Sequence, residues 1–413
     1  ESLTGAVTSV GAKNIEKRPV SNAISALEGT TSGVQINNTY GEPGSAPEIR
    51  IRGFSTVNGS NSPLYVIDGV PMSGGTNDIN PNDIESISIL KDAASSALYG
   101  NRASNGVILI TTKKGKSDKL TLRANVQQGI YSRGVKEYET LGSDEWMETF
   151  WTATRNSYLS TANSKYTLAE ANKKTTDEFF ETGIYNIYNK ANNEVFDANG
   201  KIVAGAKVKS KIKEDLDWYK PIERLGYRQD YNVSGDGATE KLNYYFSINY
   251  LSEDGYMKSS DLQRFTGRTN INANIKKWLK VGFNMNASHR VSNSTSFEKS
   301  TSYANPFYFA RNMAPVFPVH AHDYTTADGD YIYENGEKVY DYGQYIQRAQ
   351  SSGRNVVYER ELNIDKYYRN TIDALAFAEI SFLKDFKFTI KGDLFNSNSE
   401  SRSYDNAIVG DGV

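Results

Sequence analysis

Between residues 119 and 413, apolar and polar side chains alternate with a period of two over seven segments. In 119–132, Leu120, Leu122, Ala124, Val126 and Ile130 oppose Thr121, Arg123, Asn125, Gln127 and Tyr131. The segment 241–251 sets Leu242, Tyr244, Phe246, Ile248 and Tyr250 against Asn243, Ser247 and Asn249. Segments 263–275, 278–291 and 386–396 repeat the pattern, with Arg264, Arg268 and Arg290 on polar faces and Phe265, Phe283 and Phe388 on apolar ones. It is weaker in 227–235, and in 369–382 the middle carries apolar residues on both faces. A soluble antiparallel sheet also alternates. Its strands are nearer ~5–6 residues, however, whereas these reach the ~9–11 that a tilted strand needs to cross a bilayer. Connections 236–240, 276–277 and 383–385 are short, while 133–226 and 292–368 are long. Outer-membrane barrels have this asymmetry of turns and loops. The connection after the third strand, of intermediate length, fits it less well.

Residues 1–116 are patterned differently. A short helix is predicted over 22–28, capped by Ser21 and closed by Gly29. Strands are predicted at 33–36, at 48–54 with Arg50 and Arg52 opposite Ile49 and Ile51, and at 64–68 before the turn Asp68-Gly69-Val70-Pro71. A strand at 84–90, a helix from an Asp92 cap to Gly100 and a strand at 107–112 read as a β-α-β unit, right-handed by default.

Composition narrows the class. Lysine plus arginine (47) balances aspartate plus glutamate (49), so no global field recruits nucleic acid. The absence of cysteine removes disulfides, thiolate metal sites and cysteine nucleophiles. No segment has the ~18 apolar residues of a spanning helix, and no signal pattern opens the chain, so any export signal is expected to have been removed. With 28 tyrosines, 33 glycines and a mean hydropathy of -0.59, the chain is too polar for a helical membrane protein and too aromatic for a disordered one. A transmembrane β-barrel reconciles the two, through a polar lumen and aromatic girdles.

Five ordered motifs sharpen this reading: 2–7 (SLTGAV), 26–36 (ALEGTTSGVQI), 49–54 (IRIRGF), 63–71 (PLYVIDGVP) and 79–115, which includes INPNDIESISILKDAASSALYG. They closely resemble the plug domain of SusC-like, TonB-dependent outer-membrane transporters (the SusC/RagA family) of the Bacteroidetes. The resemblance implies a membrane β-barrel, with an α/β plug at 1–116 inside the lumen and the first part of the barrel at 117–413. Extracellular loops are implied at 133–226 and 292–368. A plugged barrel has about 22 strands, so the seven found here are expected to be continued in a longer protein; an open edge would leave backbone groups unsatisfied in lipid. A TonB-contacting box is normal upstream of such a plug and does not occur after Glu1, so contact with TonB is implied by kinship alone.

Kinship further implies active import of an oligosaccharide or oligopeptide across the bacterial outer membrane, with a SusD-like lipoprotein as lid and a dimer of SusC–SusD pairs. A siderophore or cobalamin receptor, or a binding protein or adhesin that does not translocate, is the alternative. No enzyme is expected. Ser296-Phe297-Glu298-Lys299 fits a bare S-x-x-K pattern without its companion motifs. His320 and His322 lack a further metal ligand at diagnostic spacing, and Asp323, Asp328 and Asp330 lack the EF-hand pattern, so neither metal nor cofactor is expected. Recognition is assigned to polar plug loops 55–62 and 73–80, which commonly face the extracellular cavity in this fold, with Asn58, Asn61 and Asn77 as candidate contacts. Tyr303, Phe307 and Tyr308 are candidates for stacking on sugar or peptide, or else for packing their loop. Arg50 and Arg52 are expected to pair with carboxylates of the barrel wall.

Overall fold

A computed structural model describes residues 7–37, 42–54, 56–58, 60–72, 75–91, 97–116, 118–160, 165–293, 303–346, 348, 351–383 and 385–410. The chain divides into two compact units, the first containing residues 1–132, 225–294 and 365–402 and the second containing 133–224, 295–364 and 403–413.

The first unit opens with a small α/β module. Its strands are β1 (Val7–Gly11), β2 (Val34–Asn37), β3 (Glu48–Ile51), β4 (Leu64–Ile67), β5 (Val70–Pro71), β6 (Ile84–Leu90) and β7 (Val107–Thr112). β2 and β3 form a separate ladder, and the rest form one sheet in the order β1-β6-β7-β4-β5. The alternating apolar residues of these strands, including Ile49, Ile87, Ile89, Ile108 and Ile110, meet Ile15, Ile24 and Leu27 in a buried core. The helix predicted over 22–28 is reduced to a single 3-10 turn, Ser25–Leu27. So few residues cannot sustain an isolated helix, and the turn is held instead by burial of Ala26 and Leu27.

The predicted β-α-β unit is corrected. β6 and β7 pair antiparallel with Leu90 opposite Val107, so their connection leaves and returns at the same end of the sheet. A parallel crossover would have to carry the chain to the other end, and the handedness rule applies only there. The return is made at Gly106, whose φ of +87° suits glycine. The parallel neighbour of β7 is β4. The expected helix cap at Asp92 lies outside the described residues, and Ala97–Ala103, within the predicted helix and just past it, is 3-10 in character.

Seven long strands come next: β8 (Thr121–Tyr131), β9 (Gly226–Ala238), β10 (Leu242–Asp254), β11 (Asp261–Lys276), β12 (Leu279–Asn293), β13 (Ile364–Phe382) and β14 (Phe386–Tyr404). All pair antiparallel with their sequence neighbours in one sheet whose edges are β8 and β14. Each predicted segment became a strand. The weakest, 227–235, is fully formed because its inward positions Arg228, Asp230, Asn232, Ser234 and Asp236 are all polar and all buried. Burial is inverted relative to a soluble protein: Ile248 is 56% exposed, whereas its neighbour Asn249 is fully buried. Phe246, Phe283 and Phe388 lie on the exposed face with Ile248. The polar face packs on the α/β module through hydrogen bonds from Tyr245 and Arg264 and to Asn232. A wall with an apolar outside and a wet inside needs lipid around it. Replacing Ile248, near the middle of β10, by arginine is therefore expected to cost ~2–4 kcal/mol of folding into lipid vesicles, measured by urea titration. An unchanged midpoint would count against a lipid-facing position.

The two long insertions, between β8 and β9 and between β12 and β13, both leave from the same end of the sheet. They condense into the second unit, which has its own aromatic core of Trp151, Phe179, Tyr188, Phe196, Trp218 and Phe309. Helix Leu168–Glu178 begins with a capping box, Thr167 and Glu170 each bonding the other's backbone amide. Residues expected to be loops thus have globular packing. Glu137 accepts from Arg311 at 3.0 and 3.1 Å and from Arg133 at 2.7 Å. The Arg311 bonds, with those of Arg133, hold its carboxyl at about 2, well below the usual carboxylate range.

Candidate functional site

Residues 75–83 (GTNDINPND) make two 3-10 turns, Thr76–Asp78 and Pro81–Asp83. Proline suits the first position of the second turn, and Asn80 caps that turn by accepting from the Asn82 amide at 3.1 Å. Turns this short leave carbonyls and carboxylates without local donors, and here strands distant in the chain provide them. Arg264 of β11, with 2% of its surface exposed, donates one Nη to the carbonyls of Ser21 and Asn77, both at 2.8 Å. Asp78 lies between two guanidiniums, with Arg369 Nε 3.0 Å from one oxygen and Arg290 4.0 Å from the other. Thr371 donates to the same carboxylate at 3.3 Å, and Asn286 to the Asp78 carbonyl at 3.3 Å. Tyr245 donates to Asp83 at 2.8 Å, Asn80 to Asn232 at 2.9 Å and Asn125 to Asn82 at 3.3 Å.

Further contacts lie along the same interface. Asp68, at a φ of +48°, accepts from the Thr112 amide and hydroxyl and from Arg268 at 3.0 Å. Arg228, tied to Glu253 at 2.7 Å and Asp230 at 2.8 Å, reaches the Val20 carbonyl at 3.2 Å. Where the module ends, Gly115 exchanges hydrogen bonds with the Asn243 side chain. A Cβ at Gly115 would collide with the carbonyl oxygens of Gly237 and Tyr244, so only glycine lets the backbone approach so closely.

The pattern is mainly one of acceptors on the module against donors on the wall, with Asn80 and Gly115 donating the other way. Buried ion pairs of this kind are held by geometry and by satisfying several partners at once, since desolvation offsets much of the Coulomb gain. The apolar core of the module is separate and internal. The interface can therefore rehydrate, exchanging polar contacts for water, without unfolding that core. This is mechanical capability rather than bond chemistry.

The residues expected from sequence fall variously. Asn77 is at the interface, its amide donating to the Gly44 carbonyl at 2.6 Å and its own carbonyl taken by Arg264. Asn61 closes its own loop, accepting from the Thr56 amide at 3.0 Å and donating to the Thr56 carbonyl at 2.9 Å, while Asn58 is exposed. Positions 55, 59, 73 and 74 of these loops lie outside the described residues. In the second unit Tyr303 and Phe307 pack against the aromatic core, and Tyr308 meets Tyr303 edge-on with 5.3 Å between ring centroids.

The expected pairing of Arg50 and Arg52 with the wall differs from the arrangement found. Among the described residues, Arg50 lies 3.5 Å from Glu48 on its own strand and 4.2 Å over the Phe54 ring, and Arg52 is exposed at a φ of +58°. The arginines of the interface come from the wall, and their signal was their position on the polar faces of β11, β12 and β13.

His320 and His322 converge on one buried carboxylate. Asp215 accepts from His320 Nδ1 at 2.8 Å and from His322 Nε2 at 3.1 Å, and His322 Nδ1 bonds the Gly329 carbonyl at 2.8 Å. Burial alone would raise the Asp215 pKa, but these imidazole hydrogen bonds win and lower it.

Residues 1–107 match the TonB-dependent Receptor Plug Domain family. The chain is 35% identical over 295 residues to TonB-dependent receptor P26 of Formosa agariphila, covering 70% of this chain and 25% of that protein. It is 31% identical over 297 residues to TonB-dependent receptor SusC of Bacteroides thetaiotaomicron, covering 69% of this chain and 24% of SusC. The chain thus spans about a quarter of the length of these relatives. Its fold is similar to that of a chain of the RagAB peptide importer in the closed-closed state, with a TM-score of 0.70 over 99% of this chain and 43% of that one, at 22% identity.

Proposed function

Because the chain belongs to the SusC-like TonB-dependent receptors, carrying a plug and the first strands of a barrel, we propose that it works in active import of an oligosaccharide or oligopeptide across the bacterial outer membrane. Residues 1–116 are the plug in this reading, and 133–226 and 292–368 are extracellular. A SusD-like surface lipoprotein serves as lid, in a dimer of such pairs, and TonB supplies the pull. The observation that carries the reading is the seating of an apolar-cored module on the wet face of the sheet through exchangeable polar contacts. A stopper held this way can be displaced by force and can reseat.

The topology suggests where force acts first. β1 is an edge strand whose ladder partner is β6, and edge pairings with few apolar contacts open at low free energy. Traction on the N-terminal side reaches β1 and then Ile15, which is fully buried in the module's core. The similarity to SusC and P26 supports the receptor class and leaves the glycan and peptide readings on an equal footing.

The reading is tested in the native organism. Uptake of a labelled glycan or peptide pool should fall to background on deletion of TonB or addition of a proton uncoupler, and a surface lipoprotein should co-purify in mild detergent. Uptake unaffected by both treatments would leave a passive binding protein as the better description.

A further inference from the structure

The second unit contains an open trough of about 620 Å³ that none of the recognition residues expected from sequence lines. One wall is a column of tyrosines. Tyr340 stacks on Tyr358 with centroids 4.8 Å apart, and Tyr342 continues the column at 6.5 Å from Tyr358. The column is braced from behind, where His320 stacks on Tyr340 at 4.7 Å and is held by Asp215. Such rings lose little freedom when a ligand stacks on them.

The other wall is a hairpin turning at Asn335-Gly336, both at positive φ as its tight turn requires. Its short ladder sets Glu334 directly opposite Glu337, both exposed. Like charges directly opposite across a ladder destabilise it, so this pairing works against the hairpin unless something positive joins it. Glu361 completes a set of three carboxylates on the trough, next to the column through its bond from the Tyr340 hydroxyl at 2.8 Å. Among the described lining residues Lys338 is the single cation, and its ammonium sits 3.4 Å from the centre of the Tyr331 ring.

Tyrosine faces beside carboxylates fit a planar cation, which stacks on the ring and bonds the carboxylate along its edge. We propose that this trough binds the guanidinium side chain of a cationic peptide, with Glu334 and Glu337 as the charge-reading pair and Tyr342, the end ring of the column that Tyr340 and Tyr358 support, as the stacking platform. The proposal deepens the import reading and rests on it for the outward placement of this unit. Between the two cargo classes it selects peptide.

The test uses the purified full-length receptor in detergent and two peptides of equal length, Gly-Arg-Gly-Arg-Gly and its neutral citrulline isostere. Calorimetry should show the arginine peptide binding at least tenfold more tightly, with the difference shrinking at high salt. The double variant Glu334→Gln/Glu337→Gln should lose that discrimination while its melting temperature stays level or rises, because the like-charge pair has gone. Equal binding of the two peptides, binding of neither, or discrimination that survives the double variant would overturn the proposal. So would a neutral oligosaccharide whose affinity falls in the double variant. Uptake that still depends on TonB in the face of any of these would leave the import reading standing without this site.

Discussion

Replacing Asp78 by alanine is expected to weaken the seating of the plug by about 3–5 kcal/mol, the range for removing one partner of a buried ion pair. Only 3% of Asp78 is exposed. Its loss leaves Arg290 and Arg369 facing each other across the position of the missing carboxylate, and removes the acceptor of Thr371. Most of the effect comes from those uncompensated charges, not from the net worth of the pair. Asp78→Asn, which keeps the shape and one acceptor, should cost less. Adding Arg369→Leu to Asp78→Ala should recover part of the loss by removing one stranded charge. The measurement is the urea concentration at which the receptor, in a planar bilayer, opens to ions, with hydrogen exchange at residues 76–83 as a local report. A single variant that opens at the wild-type urea concentration, with unaltered exchange, would show that this contact does not hold the plug.

On the proposed import function, tying the plug to the wall should abolish transport and leave cargo binding intact. Asn82 and Asn125 suit the purpose, since their side chains meet at 3.3 Å across the interface and both line an open trough between plug and wall that admits a reagent. With no cysteine among the 413 residues, Asn82→Cys/Asn125→Cys presents a defined thiol pair in this segment. Bridged by a short bis-methanethiosulfonate, the double variant should lose uptake by at least tenfold and regain it on reduction, with cargo affinity unchanged throughout. Either single variant treated in the same way serves as control. Transport at the wild-type rate in the bridged protein would mean that this part of the plug need not move, and that a path opens elsewhere.

The wall was highly legible from sequence. Seven predicted strands are seven observed strands, the first slightly shorter and the last eight residues longer than predicted, because alternation is a property of neighbouring residues and needs no partner to be read. The apolar face could be assigned to the outside only with the plug motifs in hand, since a soluble sheet alternates too. The plug was less legible. Its strands were found, but the direction of β7 against β6 was not, because a connection of that length returns to either end of a sheet. The helix at 22–28 failed for a related reason: Ala23, Ile24, Ala26 and Leu27 are apolar for burial rather than for helical periodicity.

The functional interface divides the same way. Arg264, Arg268 and Arg290 were visible as charges on polar strand faces, and 73–80 as a polar loop, but nothing local joined them. The partners are far apart in the chain, 152 residues for Asn80 and Asn232 and 293 for Asp78 and Thr371. Arg50 and Arg52 looked like anchors because they alternate with buried isoleucines, yet Arg50 sits beside Glu48 of its own strand and over the Phe54 ring, and Arg52 is exposed.

What the sequence determined alone is the character of each surface: which faces are greasy and which are wet, and where strands begin and turns fall. These features come from side-chain type and backbone period, which act within a few residues. Only the tertiary structure decided which wet groups meet. It brought the wall's guanidiniums to the plug's carbonyls, gathered two insertions around one aromatic core, and set Glu334 and Glu337 beside a column of tyrosines. Hydrogen bonds and ion pairs depend on distance in space, and that distance is set by how strands far apart in the chain come to lie side by side.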